Sequence, residues 1–206
     1  MSREAVATPD GRQTRTVRSR LAICEACLDL VQEGVLQPSA DQIALRSGVS
    51  RRSIFNHFTD LAELYDAVVE VGMQRCAPLL DEISEAEPVS RRVERLVEVR
   101  SKFLEATAPF TRALTAQALV GPAADQARRV SQEALRLQHQ EVERLFRREL
   151  EALAPPERLE ISEALSAATS PVQWEYLRRS RGNSLSFARA VIRRTLVSIL
   201  RDVGVA

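Results

Sequence analysis

The chain has 206 residues, 45% of them hydrophobic but only 4% aromatic, with 7 glycines and 9 prolines; that supports one domain, or a medium domain with a small one, and excludes collagen-like and low-complexity chains. Its 29 basic and 28 acidic residues leave a net charge of +1, a total that says nothing about nucleic acid. The longest charge-free stretch, 113–124, has 12 residues, short of a membrane span, and the polar, arginine-rich N-terminus lacks the apolar run of a secretory signal, so a cytoplasmic chain with reduced cysteines is expected.

Residues 1–13 lack periodicity, carry Pro9 and Gly11, and are expected to form a mobile arm. A first helix is expected from about residue 14, with Val17, Leu21, Cys24, Leu28 and Val31 on one stripe at steps of four and three. Ser39 is placed to cap a short helix over 39–47, with Ile43 and Ala44 inward. Gly48 and Val49 turn the chain, and Ser50 caps a second short helix with Ile54 and Phe58 inward. Asp60 caps a longer helix carrying Leu61, Leu64, Tyr65, Val68 and Val71, which ends or kinks near Pro78. Further helices are expected over 88–107, 109–120, 123–154, 157–179 and 184–203, the first two separated before Pro109 and the third ended by Pro155. Within 123–154, Leu135, Val142, Leu145 and Phe146 should face inward. Pro171 should kink or split the segment 157–179, with Ser170 able to cap its second half. No strand-like alternation of useful length and no internal repeat occurs, so the fold class is all-α, with about nine helices.

The segment 39–58 carries the most information. A short helix, a glycine-containing turn and a second short helix make a helix-turn-helix pattern. Ala44 supplies the small residue at the helix crossing, Gly48 a residue tolerant of positive φ, and Val49 an apolar plug after the turn. The outward face of the second helix then presents Arg51, Arg52, Ser53 and Asn56. Arginine can bond bidentately to guanine and asparagine to adenine in a major groove, while Ser50 and Ser53 can reach phosphates. Locally the charge agrees: from Arg12 to Phe58 seven arginines face four acids, a modestly positive end on a neutral body.

The string 44–58 resembles the signature of TetR-type (tetracycline-repressor-like) regulators: Gly48-Val49-Ser50, then the aliphatic-aromatic pair Ile54-Phe55, then His57-Phe58. The motif resemblance covers about 14–71. It implies a helix-turn-helix DNA-binding head over 14–60 and a ligand-binding and dimerisation body over 61–206. It also implies a homodimeric transcriptional regulator, a repressor released from a palindromic double-stranded DNA operator by a small, largely apolar effector. Carried over residue by residue, Arg51, Arg52 and Asn56 are the base readers, and Ser39, Ser50 and His57 contact the backbone. Two departures weaken the backbone contacts: Phe55 stands where the family usually has Tyr, and Leu61 where it usually has Lys. Asp41 also faces DNA in this alignment and would repel phosphate, losses that Arg12, Arg15 and Arg18 are placed to offset.

Plainer readings stand beside these. Arg51 and Arg52 can be solvated surface residues, and His57 a helix-end residue with no partner. Cys24-x-x-Cys27 looks like half a metal site, but two further ligands at compatible spacing are missing and Cys24 falls on the apolar stripe, so no metal and no cofactor are expected. A thiol sensor would need Cys24, Cys27 or Cys76 exposed and acidified. His139 shares a helical face with Leu135, Val142 and Phe146, as a core or interface residue or as a polar ligand contact. Trp174 and Tyr176 line either a ligand cavity or a dimer seam. Ala164, Leu165, Ala168, Ala188, Ile192 and Ile199 suit a four-helix bundle between two protomers, or packing within one chain. Neither histidine has a Glu three residues before it and no Gly-x-Ser-x-Gly occurs, so an enzyme is not expected. The competing reading is a ligand-independent or thiol-responsive DNA-binding regulator.

Overall fold

Short polar side chains set most of the helix starts. Ser39, Ser50, Asp60, Ser170 and Ser184 each accept a hydrogen bond from the backbone N–H three residues on, a cap typically contributing about 1 kcal/mol. The computed structural model describes residues 11–120 and 123–204, with side chains from residue 15 onward. Among the described residues there is no strand, and ten α-helices follow in order: α1 Gly11–Gln32, α2 Ala40–Ser47, α3 Arg51–His57, α4 Leu61–Cys76, α5 Val89–Val120, α6 Ala124–Leu145, α7 Arg147–Glu151, α8 Pro155–Ala168, α9 Pro171–Glu175 and α10 Leu185–Asp202. A 3₁₀ turn, Ala77–Leu79, follows α4, and a wider π turn, Tyr176–Ser180, follows α9.

The all-α fold is as expected; several boundaries are not. Residues 11–13, assigned to an arm, are helical, since glycine costs least at a helix end, where no run of intrahelical bonds is interrupted. Pro109 separates nothing: α5 runs through it. Interior proline costs about 3 kcal/mol, but here Leu104 and Ala113 are buried on either side and Phe110 packs against the core of α1–α4, so tertiary packing holds the helix together. The segment 123–154 breaks at Phe146, whose fully buried ring closes the gap between α6 and α7. Pro155 and Pro156 start α8 rather than ending its predecessor, at positions where a missing N–H leaves no bond unmade. Pro171 splits its helix under the Ser170 cap.

Two cores result. The first joins α1 to α4 through Ile23, Cys27, Leu28, Ile43, Ile54, Phe58 and Leu64. The second joins α5 through α10 through Leu96, Val142, Leu145, Phe146, Leu165, Trp174 and Leu196. Helix α5 touches both, packing against α1 and α4 as well as against α6 and α10. Val17 and Leu21, expected on the buried stripe of α1, are exposed. That helix spans about 33 Å, so its first turns outrun the shorter helices that could cover them. Val142, Leu145 and Phe146 are buried as expected, but Leu135 is exposed, and Gln138 takes the buried position one turn before Val142. Leu165, Ala168, Ala188 and Ile192, offered to a bundle between protomers, are buried within the single chain.

Candidate nucleic-acid interface and apolar cavity

The turn between α2 and α3 is set by Gly48, at φ +72°, whose N–H returns to the Ala44 carbonyl at 3.1 Å. A Cβ there would meet nothing within 4 Å, so the requirement is the left-handed backbone, not space. Ile54, 1% exposed, then anchors α3 and turns Arg51, Arg52 and Asn56 to solvent; Ser53 and His57 are half-buried. Ser39 and Ser50 are exposed and use an oxygen lone pair to cap α2 and α3, which leaves each hydroxyl proton available to an outside acceptor. On α1, Arg15 and Arg18 are exposed; the side chain of Arg12 lies outside the described residues.

Several of these arginines are already engaged. Arg51 pairs with Asp41 of α2 at 3.2 Å and lies over the Phe55 ring at 5.9 Å. Arg46 grips both carboxylate oxygens of Glu33, at 2.9 and 2.6 Å. Arg20, counted in the positive end by sequence, is a positioning residue. Its guanidinium stacks on Phe58 at 4.1 Å, donates to the His57 carbonyl at 2.6 Å and reaches Glu63 at 3.2 Å, tying the end of α3 and the start of α4 to α1. The Arg-x-x-Arg spacing of α1 gives no hint of this; only the contact with Phe58 does. Arg52 and Asn56 make no side-chain hydrogen bond among the described residues.

Behind this face, a cavity of about 180 Å³ lies among α1, α4, α5 and α6. Its wall is overwhelmingly apolar, including Leu28, Val31, Val68, Phe103, Leu104, Phe110 and Val130, and it reaches Leu36 and Pro38, just ahead of the α2 cap. Of the two charged wall residues, Arg100 is paired with Glu141, and Asp66, exposed at the rim, accepts a hydrogen bond from the neutral Gln126 amide. Gln138 donates to the Ser166 carbonyl and the Thr169 hydroxyl, both at 2.8 Å. Gln117 differs: it is 5% exposed and neither its Nε2 nor its Oε1 has a hydrogen-bond partner. It leans on the Tyr65 hydroxyl closely enough to favour the phenolate, without hydrogen-bond geometry; burial outweighs this and pushes Tyr65 up to about 12. The Tyr65 hydroxyl itself donates to the Pro38 carbonyl at 3.4 Å.

None of the three residues singled out for ligand contact lines this cavity. His139 bonds Ser166 Oγ at 2.8 Å on the shoulder of α6. Trp174, 1% exposed, belongs to the second core and donates to Glu105 at 2.8 Å, a carboxylate that Arg178 holds below its usual range. Tyr176 is half exposed on the π turn. The sequence signal that was missed is Gln117, four residues after buried Ala113 on one face of α5.

The cysteines are not poised for redox chemistry. All three are buried, and burial pushes Cys24 up to about 11, Cys27 to about 12 and Cys76 upward, whereas a reactive thiol needs an acidified, accessible sulfur. Among the described residues no group of three or more His, Cys, Asp or Glu gathers as a metal site, and no helix is long and apolar enough to cross a membrane.

No protein-family model and no curated protein matches the sequence. Solved structures do share the fold. A transcriptional regulator from Rhodococcus sp. Rha1 superimposes with a TM-score of 0.64 at 16% identity, over 91% of this chain and 96% of that one. A TetR-family transcriptional regulator from Streptomyces coelicolor gives 0.62 at 15% identity, over 90% and 88%. The chain therefore has the all-α fold of TetR-type regulators.

Proposed function

We propose that this chain is a sequence-specific DNA-binding transcriptional regulator, a repressor that acts as a homodimer on a palindromic operator and is released by a small, largely apolar ligand. The observation that carries the reading is the solvent face of α3, where Arg51, Arg52 and Asn56 stand together on a helix pinned from behind by Ile54 and Arg20. In a major groove those side chains reach base edges, while Ser39, Ser50, Ser53 and His57, with Arg12, Arg15 and Arg18 of α1, bond phosphates. Residues 14–60 form the DNA-binding head and 61–206 the ligand-binding and dimerisation body. A second copy covers apolar side chains left open on the body, such as Val172, Tyr176 and Phe187.

The cavity supports the ligand half of the reading by its place. Its wall includes Pro38, whose carbonyl the Tyr65 hydroxyl holds one residue before the α2 cap, so a molecule that shifts α4 or α5 displaces the helix-turn-helix directly. A ligand favouring that displaced state weakens DNA binding, and DNA weakens ligand binding by the same factor. Selection of duplexes by the purified protein tests the reading: a palindrome with half-sites about one helical turn apart is expected, and recovery of unrelated sequences overturns it.

Asp41 sets a second expectation. Its carboxylate faces the same side as Arg51 and occupies that guanidinium. Asp41→Asn removes a charge that repels phosphate and frees Arg51. On the selected site, affinity should rise about three- to tenfold at low salt, with the log–log salt slope steeper by about one. A fall in affinity would instead make Asp41 the residue that aims Arg51.

A further inference from the structure

The ligand-responsive reading leaves the chemistry of the ligand open, and the cavity itself narrows it. Gln117 carries an amide N–H donor and an amide C=O acceptor, both buried and neither in a hydrogen bond, on the wall of a largely apolar space. Native proteins rarely leave a buried polar group unpaired, because each such group forfeits its hydration for nothing. The buried charge in the wall is satisfied: a carboxylate ligand would have to displace Glu141 from Arg100, while Asp66, which accepts from Gln126, is exposed at the rim. An apolar cavity of 150 Å³ accommodates benzene, so about 180 Å³ accommodates one ring with a short substituent.

We propose that the cavity takes a neutral, single-ring-sized molecule bearing a donor and an acceptor on adjacent atoms, as in a carboxamide or lactam, and that Gln117 is the specificity-determining residue that pairs with it. Two amides meeting edge to edge exchange two N–H···O bonds, which satisfies both orphaned atoms at once. The paired head group then lies beside Tyr65, whose hydroxyl holds the Pro38 carbonyl, so the polar end of the ligand sits at the contact between body and helix-turn-helix. The ring fills the apolar remainder, against residues such as Phe103 and Val130.

The inference deepens the proposed regulator function and is tested without DNA, so its failure is separable from failure of α3 to read a duplex. Calorimetric titration of the full chain with benzamide, benzoate and ethylbenzene compares one ring carrying a neutral amide, an anion and no polar group. Benzamide should bind roughly tenfold or more tighter than either of the others. Gln117→Met, similar in shape but without donor or acceptor, should lose about tenfold or more of that affinity, keep or improve binding of ethylbenzene, and melt no lower than the parent. Should the methionine variant not fold, Gln117→Leu supplies the same comparison, and the ligand preference of the unmodified chain stands as a test by itself. Benzoate binding tightest, ethylbenzene equalling benzamide, no binding of any of the three at millimolar concentration, or a folded variant that keeps its benzamide affinity would each overturn the proposal.

Discussion

Replacing Arg51 and Arg52 together by alanine is expected to erase discrimination between the selected palindrome and random duplex while leaving the chain folded. Both side chains are exposed, and the one ion pair they make among the described residues, Arg51 with Asp41, is a surface pair; such pairs contribute about 0–1 kcal/mol, and surface substitutions away from caps and cores shift stability by about 0.5 kcal/mol. The melting temperature should therefore hold. On DNA the same atoms are worth far more, because a bidentate arginine–guanine pair contributes about 1–3 kcal/mol of discrimination against a wrong base, and a dimer presents each reader twice. Losing both readers should weaken cognate binding roughly 100-fold or more, with a much smaller loss on random sequence. The two single variants should differ in character. Arg52→Ala removes a reader alone, whereas Arg51→Ala also uncovers the Asp41 carboxylate toward the phosphates. Fluorescence anisotropy on selected and scrambled duplexes, beside a thermal melt, reads all of this. A folded double variant that grips the selected site as tightly and as selectively as the parent overturns the assignment of α3.

What was legible in the sequence was what short-range chemistry decides. A serine or aspartate aimed at the N–H three residues ahead needs nothing from the rest of the chain, so the caps at Ser39, Ser50, Asp60 and Ser170 stand where the sequence places them. Gly48 is of the same kind. The prolines were read by their local penalty, which was correct at Pro171 and overridden at Pro109, where burial of Leu104, Phe110 and Ala113 outweighs one lost hydrogen bond. Charge was legible as a count but not as an availability: Arg20, Arg46 and Arg51 all belong to the positive end, and each is held by a partner 10 or more residues away. The cavity was the least legible feature, because Leu28, Val68 and Leu104 lining a space are the same residues as Leu28, Val68 and Leu104 filling a core. Aromatic and imidazole side chains drew attention to Trp174, Tyr176 and His139, yet a buried indole with a carboxylate partner is a satisfied core residue. An amide on an apolar stripe, Gln117, was the more informative exception.

Arg92→Met should lower the stability of the chain by about 3–5 kcal/mol, the usual cost of removing one partner from a buried ion pair. For a chain of this size that is a fall of roughly 6–20 °C in melting temperature. The reason lies where α6 breaks. At Phe146 the helix stops and α7 restarts, which frees the Leu145 carbonyl from the usual ladder. Arg92, 3% exposed near the start of α5, supplies what the break lacks. It donates to the Leu145 carbonyl, to the Glu87 carbonyl at 2.9 Å and to both oxygens of Glu149, while lying over the Phe146 ring at 5.5 Å. Methionine fills the volume but leaves a buried carbonyl and a nearly buried carboxylate without a donor. The pH dependence identifies the cause. Arg92 holds the Glu149 carboxyl below its usual range, so the pair's stabilisation is fully present above the unfolded value of about 4.3 and fades as pH falls through the lower folded value. In the variant the same carboxylate is buried without its cation, and protonation relieves it. The gap between parent and variant should be widest near pH 7 and narrow steadily below about pH 4. Thermal melts across that range read the difference directly: a gap that does not change with pH would assign the loss to packing against Phe146 rather than to the charge on Glu149.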